Sequence, residues 1–144
     1  MTASDKQTGS TVIPALRYRD AKAAITWLCD VLGFTRHAVY EVEGGLIGHA
    51  ELTHGNGMIM LGSSKDDDHG HRFANPDETG GRETRSAYIV VPDADAVYAR
   101  CVAAGATMIR SIQDTPYGSR EFAVVDPEGH SWSLGTYDPW KAHE

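Results

Sequence analysis

The stretch RYRDAKAAITWLCDVLGF, residues 17–34, is matched in pattern by VVPDADAVYARCVAAGA, residues 90–106. Each begins with an extended apolar run, continues with an aspartate and an alanine, and then shows the apolar spacing of an amphipathic helix. Asp20 and Asp93 stand where a short carboxylate accepts hydrogen bonds from the free amides of a helix start. A glycine follows each helix, where a left-handed residue commonly ends one. The pattern predicts two strand–helix units of the same design.

Three extended segments follow each predicted helix. They read HAVYEVE, LIGHAELTH and GMIMLG in the first half, and TMIRSIQ, SREFAVV and HSWSLG in the second. The period is constant, because Leu61 and Leu134 are 73 positions apart, as are the two aspartates. Self-similarity at a fixed period indicates a repeated structural unit. We therefore predict an α+β fold of two βαβββ modules in tandem.

The domain boundaries follow from this repeat and from the length of 144 residues, which suits one domain. A polar segment without evident structure separates the modules, and segments of that length often act as a lid. We predict a disordered tail over residues 1–10, a single domain over 11–137 with modules 11–63 and 85–137, a linker loop over 64–84, and a C-terminal tail over 138–144.

The composition and charge of the chain disfavour some classes of binding partner. The formal net charge is −7, and no basic stripe is present to neutralise phosphates, which disfavours nucleic acid. No apolar run reaches membrane-spanning length, and the polar start MTASDKQTGST does not read as a signal peptide. Cys29 and Cys101 are therefore expected to be unpaired, buried thiols in a cytoplasmic protein.

Three stretches carry a family resemblance: LRYRDAKAAITWLCDVLGF, HAELTHGNGMIMLG and YGSREFAVVDPEGHSWSLGT. They resemble the vicinal oxygen chelate superfamily, which contains glyoxalase I, bleomycin-resistance proteins and extradiol dioxygenases. The resemblance covers nearly all of residues 11–137, and HAEL followed by IML is similar to the PhnB-like branch. It implies that each module is a curled mixed sheet with a helix on one face and a ligand cavity on the other. It also implies a homodimer.

The alternation of side chains along a strand assigns the residues of the first hairpin to two faces. If Gly55 and Asn56 form a two-residue turn, the flanking strands pair from His54 and Gly57 outward, and paired residues share a face. One face is then uniformly apolar, with Ala50, Leu52, Ile59 and Leu61, and is predicted to pack on the helix. The cavity face carries His49, Glu51, Thr53, Met58 and Met60.

The second hairpin is treated in the same way, with DPEG, residues 126–129, as its turn. That choice pairs Val124 with Ser131 and Phe122 with Ser133, and it places Arg120 opposite Gly135. The predicted cavity face carries Arg120, Phe122, Val124, Ser131 and Ser133. Ala87 and Ile89 of the neighbouring strand are assigned to the same cavity.

Metal-dependent relatives place one His or Glu ligand on the first and one on the last strand of each module. Carried onto this chain, those four positions fall near Ile13, Met60, Ala87 and Ser133. None of the four offers the imidazole or carboxylate that a divalent metal prefers. We therefore predict no metal at the inherited positions and no cofactor.

His49 and Glu51 are the candidate catalytic residues, because positions i and i+2 share a strand face. They could act as a general base with an orienting carboxylate, or bind a metal in another geometry. The alternative is a hydrogen-bonded polar pair that lines a pocket or a dimer seam.

Each of three further features has more than one possible role. Arg120 either anchors an anionic group, since its planar fork binds two oxygens, or forms an internal ion pair, for example with Glu51. Tyr117 gates the pocket, stacks on a flat ligand, or is an ordinary turn aromatic. The run DDDHGHR from Asp66 is typical of a solvated loop, although its two histidines could close over a ligand.

The leading hypothesis is a protein that sequesters a small, partly aromatic organic molecule. The alternative is a lyase, isomerase or dioxygenase-type enzyme that uses His49 and Glu51, with an unconventional metal or none. The residues predicted to line the ligand site are Ile13, His49, Glu51, Met58, Met60, Ala87, Ile89, Tyr117, Arg120, Phe122, Ser131 and Ser133.

Overall fold

Two βαβββ modules follow one another in the computed structural model, which describes residues 9–65 and 72–141. The elements of the first module are β1 (Ala15–Tyr18), α1 (Ala21–Asp30), β2 (Thr35–Glu41), β3 (Ile47–His54) and β4 (Gly57–Ser63). Those of the second are β5 (Ala87–Val90), α2 (Ala94–Ala103), β6 (Thr107–Asp114), β7 (Arg120–Val125) and β8 (Ser131–Gly135). Two short 3-10 turns, Glu43–Gly45 and Pro76–Glu78, complete the order. The predicted fold class is confirmed.

Each module forms its own four-stranded sheet. The strand orders are β1-β4-β3-β2 and β5-β8-β7-β6. The outer pairs β1–β4 and β5–β8 are parallel, and the remaining neighbours are antiparallel, so both sheets are mixed. The chain divides into two compact units: Met1–Cys29 with Gly33–Phe73, and Asp30–Leu32 with Ala74–Glu144.

Both helices begin and end as the sequence predicts. Asp20 and Asp93 each accept a hydrogen bond from the backbone amide three residues later, at 3.1 Å in both cases. Gly33 and Gly105 follow the helices with φ values of 87° and 73°, a region that a residue with a Cβ rarely adopts. Each helix has 10 residues, and no helix in the described part of the chain is long and apolar enough to cross a membrane.

The first hairpin has the predicted register. His54 pairs with Gly57, and the pairing continues through Glu51 with Met60 to Ala50 with Leu61. One face of this sheet is buried, which we call its core face: Tyr18, Ala50, Leu52, Ile59 and Leu61. The residues between them form the far face of the first sheet: His49, Glu51, Thr53, Met58 and Met60.

The second hairpin differs from the prediction by one residue. Val125 pairs with Ser131 and Val124 with Trp132, because Asp126 and His130 are still bonded and only three residues turn the chain. Gly129, at φ 96°, adds the extra residue, as in three-residue hairpin loops that end in a left-handed position. A slip of one residue exchanges the two faces of a strand.

The faces assigned to several residues of the second module are therefore wrong. Phe122 pairs with Leu134, and Ile89 of β5 lies beside Leu134 as well, while Ala87 lies beside Trp132. The core face of this sheet thus carries Ala87, Ile89, Arg120, Phe122, Val124, Trp132 and Leu134. Its far face carries Tyr88, Glu121, Ala123, Ser131 and Ser133.

Candidate functional site

The far face of the first sheet holds a hydrogen-bonded His49–Glu51 pair. His49 Nε2 lies 2.8 Å from Glu51 Oε2, and both side chains are partly exposed. Tyr40 of β2 pairs with His49, and its ring stacks on the imidazole at a centroid distance of 6.1 Å and an interplanar angle of 19°. The structure therefore brings together the two residues that the sequence singles out as candidate catalytic groups.

A second imidazole reaches the same carboxylate from the edge strand. The register of β2 against β3 shifts between Arg36 and Ala38, so His37 is an extra residue in a β-bulge. His37 Nε2 lies 3.9 Å from Glu51 Oε1. Glu51 is thus a carboxylate between two imidazoles, an arrangement that can orient one of them as a proton acceptor. Sequence reasoning missed His37, because a bulge has no signature in the alternation of side chains.

The residues at the positions that the family resemblance implies for metal ligands do not suit a metal ion. Strand pairing places Ala15, rather than Ile13, beside Met60, and it places Tyr88, rather than Ala87, beside Ser133. Ala15, Met60 and Ser133 offer no imidazole or carboxylate. Burial raises the pKa of the Tyr88 phenol, which keeps it protonated and a poor ligand. Within residues 9–65 and 72–141, no group of three or more His, Cys, Asp or Glu side chains is arranged to hold a metal ion.

The far face of the second sheet holds a buried carboxylate that sequence reasoning missed. The Glu121 side chain is only 7% exposed. Its Oε1 accepts a hydrogen bond from the Tyr117 hydroxyl at 2.8 Å, and its Oε2 lies 3.3 Å from the Tyr88 hydroxyl. The Tyr88 hydroxyl also donates to the backbone oxygen of Tyr137 at 2.9 Å. These contacts replace part of the hydration that the carboxylate loses on burial.

Gly135 makes room for this arrangement. It pairs with Glu121, and a Cβ at this position would lie 2.5 Å from both Glu121 Cγ and the Tyr88 hydroxyl oxygen. Neither atom is the free end of a flexible side chain, since Glu121 is buried and the Tyr88 ring is rigid. A side chain at position 135 is therefore incompatible with the observed contact between Tyr88 and Glu121.

We expect Gly135→Ala to lower the free energy of unfolding by about 1–3 kcal/mol, because overpacking displaces the buried Glu121 side chain and the Tyr88 hydroxyl. Urea unfolding followed by circular dichroism measures the change. Gly57→Ala is the matched control, since its Cβ comes no closer than 3.3 Å, to the His54 carbonyl oxygen. Equal stabilities of the two variants would contradict the close approach at Gly135.

Tyr117 lies beside this carboxylate. The side chain is 60% exposed, and its ring meets the Tyr137 ring edge-on at a centroid distance of 5.7 Å. The hydrogen bond to Glu121 raises the pKa of the Tyr117 phenol, so this group remains a donor at neutral pH. Of the three alternatives for Tyr117, gating and stacking stay predictions. Its position is that of an exposed aromatic ring fixed at its hydroxyl.

Arg120 forms an internal ion pair, but with different partners from the one predicted. Its guanidinium donates to Asp95 at 3.2–3.3 Å and to Asp114 at 3.2 Å. Asp95 lies in the first turn of α2, so the pair joins the helix to β7. Arg120 does not share a face with Glu121 or Ser133, and its assignment to the ligand face is wrong for the same reason of register.

Phe122 is a core residue. Its side chain is 0% exposed and meets the Tyr98 ring of α2 edge-on at 5.1 Å. Ile89 is 8% exposed on the same face. Phe122 is buried against α2, and neither residue faces the side on which Ser131 and Ser133 lie.

The second half of the linker is anchored to the second sheet. The Glu83 carboxylate accepts a hydrogen bond from the Ser131 amide at 2.7 Å and lies 3.0 Å from His130 Nδ1. Asn75 and Glu78 form a capping box around the 3-10 turn at Pro76. Asn75, Glu78 and Glu83 are thus held by hydrogen bonds. Asp66–His71, with the two histidines of the acidic run, lie outside the described residues, and so do residues 1–8 of the predicted tail.

Neither cysteine forms a disulfide, and Cys29 is only partly buried, unlike the prediction. Cys101 is buried in α2, and burial raises its pKa to about 11. The thiol is therefore protonated at neutral pH and is not a nucleophile. This position agrees with the prediction of a small buried apolar residue.

Comparison with known proteins gives the family. Residues 11–134 match the model of the Glyoxalase/Bleomycin resistance protein/Dioxygenase superfamily. An uncharacterized protein of Mycobacterium bovis is 33% identical over 124 residues, which is 85% of this chain and 80% of the relative. The crystal structure of TioX from Micromonospora sp. ML1 superposes with a TM-score of 0.68 and 31% identity, covering 88% of this chain and 98% of TioX.

A more distant structure shows the fold alone. FosX, a genomically encoded fosfomycin resistance protein from Listeria monocytogenes, superposes with a TM-score of 0.64 at 9% identity, over 94% of this chain and 97% of FosX. The match of the family model over most of the chain agrees with the relatives in sequence and structure. This protein belongs to the glyoxalase/bleomycin resistance protein/dioxygenase superfamily, also called the vicinal oxygen chelate superfamily.

Proposed function

We propose that this protein binds a small, partly aromatic organic molecule without a divalent metal at the positions used by metal-dependent members of its superfamily. The observation that carries the proposal is the identity of the residues in register at those positions. They are Ala15 with Met60 in the first sheet and Tyr88 with Ser133 in the second. A metal-dependent reaction would need imidazole or carboxylate ligands there.

The residues on the far faces of the two sheets suit a ligand with both apolar and polar parts. In the first sheet Met58 and Met60 supply adaptable apolar surface next to the polar His49–Glu51 pair. In the second, Ser131 and Ser133 lie on the far face, and exposed Tyr117 stands beside Glu121. Apolar surface with a few polar points is the usual lining of small-molecule sites. Ile13, half-buried two residues before β1, remains a predicted lining residue.

The first test is the metal content of untagged protein. We expect less than about a tenth of an equivalent per chain after incubation with nickel, zinc, manganese and ferrous iron and removal of the excess. Thermal-shift and fluorescence screens with neutral, anionic and cationic aromatic compounds then test binding. A stoichiometric metal that is lost in the His49→Ala, Glu51→Ala double variant would contradict the proposal. So would a complete absence of binding across the screen.

One observation favours the enzymatic alternative, namely the 2.8 Å contact between His49 and Glu51. A histidine oriented by a carboxylate is a general base. If a substrate is turned over, His49→Ala and Glu51→Ala should abolish turnover while the substrate still binds. If the protein only sequesters its ligand, the same substitutions should lower affinity gradually and no turnover should be seen with the unmodified chain.

The finer classification is also proposed. The HAEL and IML stretches support the PhnB-like branch, and the superfamily resemblance supports a homodimer. Two cysteines outside any disulfide support a cytoplasmic location, where disulfides are rare.

A further inference from the structure

Five residues around Glu121 form what we call the Glu121 cluster: Tyr88, Arg110, Tyr117, Glu121 and Tyr137. All five lie in the second unit. Both oxygens of the carboxylate meet a phenol hydroxyl, at 2.8 Å and 3.3 Å. The Tyr88 hydroxyl has one proton, and its shorter bond, at 2.9 Å, goes to the Tyr137 backbone oxygen. The Tyr88 hydroxyl is therefore a weaker donor to Glu121 than the Tyr117 hydroxyl.

Aromatic rings surround the carboxylate and remain accessible. Tyr117 is 60% exposed and Tyr88 is 39% exposed, although the carboxylate between them is buried. Tyr117 and Tyr137 meet edge-on, which holds the Tyr117 ring from a second side. Aromatic faces attract cations, and a carboxylate among such faces attracts them more strongly than either group alone.

Arg110 shows that a planar cation can approach this carboxylate. Its Nη2 lies 3.6 Å from Glu121 Oε1, and the Arg110 side chain is 47% exposed. That distance exceeds the 2.7–2.9 Å that is typical of a charge-assisted hydrogen bond. The Arg110 guanidinium thus makes no short hydrogen bond to Glu121, and its long, half-exposed side chain can move into solvent. The site of the guanidinium can therefore be taken by another cation.

We propose that the Glu121 cluster binds the planar cationic group of an aromatic ligand, which stacks on Tyr117, contacts the Glu121 carboxylate and displaces Arg110. This inference rests on the proposed function and specifies its ligand class. Glu121 supplies the opposite charge, and its hydrogen bond fixes the Tyr117 ring before the ligand arrives. Preorganisation of this kind raises affinity by lowering the entropy lost on binding.

The test compares three planar tricyclic probes by fluorescence titration at an ionic strength of about 0.15 M, which screens charges outside the site: cationic proflavine, neutral acridone and anionic 9-anthracenecarboxylate. We expect proflavine to bind most tightly, and Glu121→Gln to weaken it by about ten- to hundredfold while acridone changes little. Arg110→Ala should tighten proflavine binding by about two- to fivefold, because it removes a competing cation. A merely structural Glu121 cluster predicts no such gain.

The control is Glu43→Gln, which makes the same change in net charge at an exposed position of the first unit. It should leave proflavine binding within about twofold, because at an ionic strength of about 0.15 M a charge outside the cluster is screened within about 8 Å. Arg110 is half-exposed, so its variant folds and keeps the test decisive even if Glu121→Gln is unstable.

The outcomes separate the two proposals. Binding of acridone or 9-anthracenecarboxylate with no preference for proflavine, or unchanged proflavine affinity in Arg110→Ala, overturns the cation site and leaves the proposed function standing. No binding of any of the three probes, together with an empty aromatic screen, overturns both.

Discussion

Phe122→Ala should lower the free energy of unfolding by about 3–5 kcal/mol, the range for truncating a buried aromatic side chain. Phe122 is 0% exposed, lies on the core face of the second sheet, and meets the Tyr98 ring at 5.1 Å. Removing its ring takes apolar surface from the core and leaves a cavity against α2. Urea unfolding, followed by circular dichroism and by tryptophan fluorescence, measures the loss.

Met58→Ala and Phe122→Leu are the control variants for Phe122→Ala. Met58 is half-buried on the far face of the first sheet, so its truncation should cost clearly less than that of Phe122. Phe122→Leu keeps most of the volume and should remain folded, with a loss of about 1–2 kcal/mol. If Phe122→Ala were as stable as the unmodified chain but lost ligand binding, Phe122 would line a cavity and the core assignment would be wrong.

The repeat made most of the fold predictable from the sequence. Two stretches with a capping aspartate, an amphipathic helix and a glycine end recur at a constant period, and each is followed by three extended runs. Local signals and the periodic pattern agree here, as they do where a sequence specifies one structure. The first hairpin was predictable in register too, since Gly55 and Asn56 form a two-residue turn and the alternation around it is clean.

The second hairpin was not predictable in register, because its strands are apolar on both parities. Phe122 and Val124 are buried on one face, and Ala123 is buried on the other at 7% exposure. The alternation of apolar and polar side chains therefore could not distinguish between turns that differ in length by one residue. The register is instead determined by the left-handed Gly129 and by the contacts of Asp126, which the pattern of polar and apolar residues does not reveal.

Glu121 escaped prediction for a related reason. Its partner Tyr88 comes from β5, which β8 separates from β7, and its partner Tyr117 comes from the loop before β7, so no local spacing links them. The one usable signal was the glycine at position 135, which the correct register places opposite Glu121. A glycine inside a strand marks a close approach of other atoms.

Asp126→Ala should be the most damaging change of a polar residue, with a loss of more than about 3 kcal/mol in the free energy of unfolding. Asp126 is 4% exposed, and its Oδ1 accepts from the amides of Glu128 and His130, both at 3.0 Å. Its Oδ2 accepts from the indole nitrogen of Trp132 at 3.1 Å. Truncation leaves these donors without their acceptor, two of them in buried residues, and each costs about 1–3 kcal/mol.

The same carboxylate specifies the register, so its loss should also be visible in structure. We expect the Trp132 indole N–H to exchange with solvent much faster in Asp126→Ala, measured by NMR, because its acceptor is gone. Asp138→Ala is the matched control: Asp138 accepts from the amide of Trp140 at 2.9 Å, but Trp140 is 83% exposed, so the cost should be within about 1 kcal/mol. If Asp126→Ala cost no more than this control, the three-residue turn would be held by Gly129 alone, and the faces of β7 would follow from backbone conformation rather than from the aspartate.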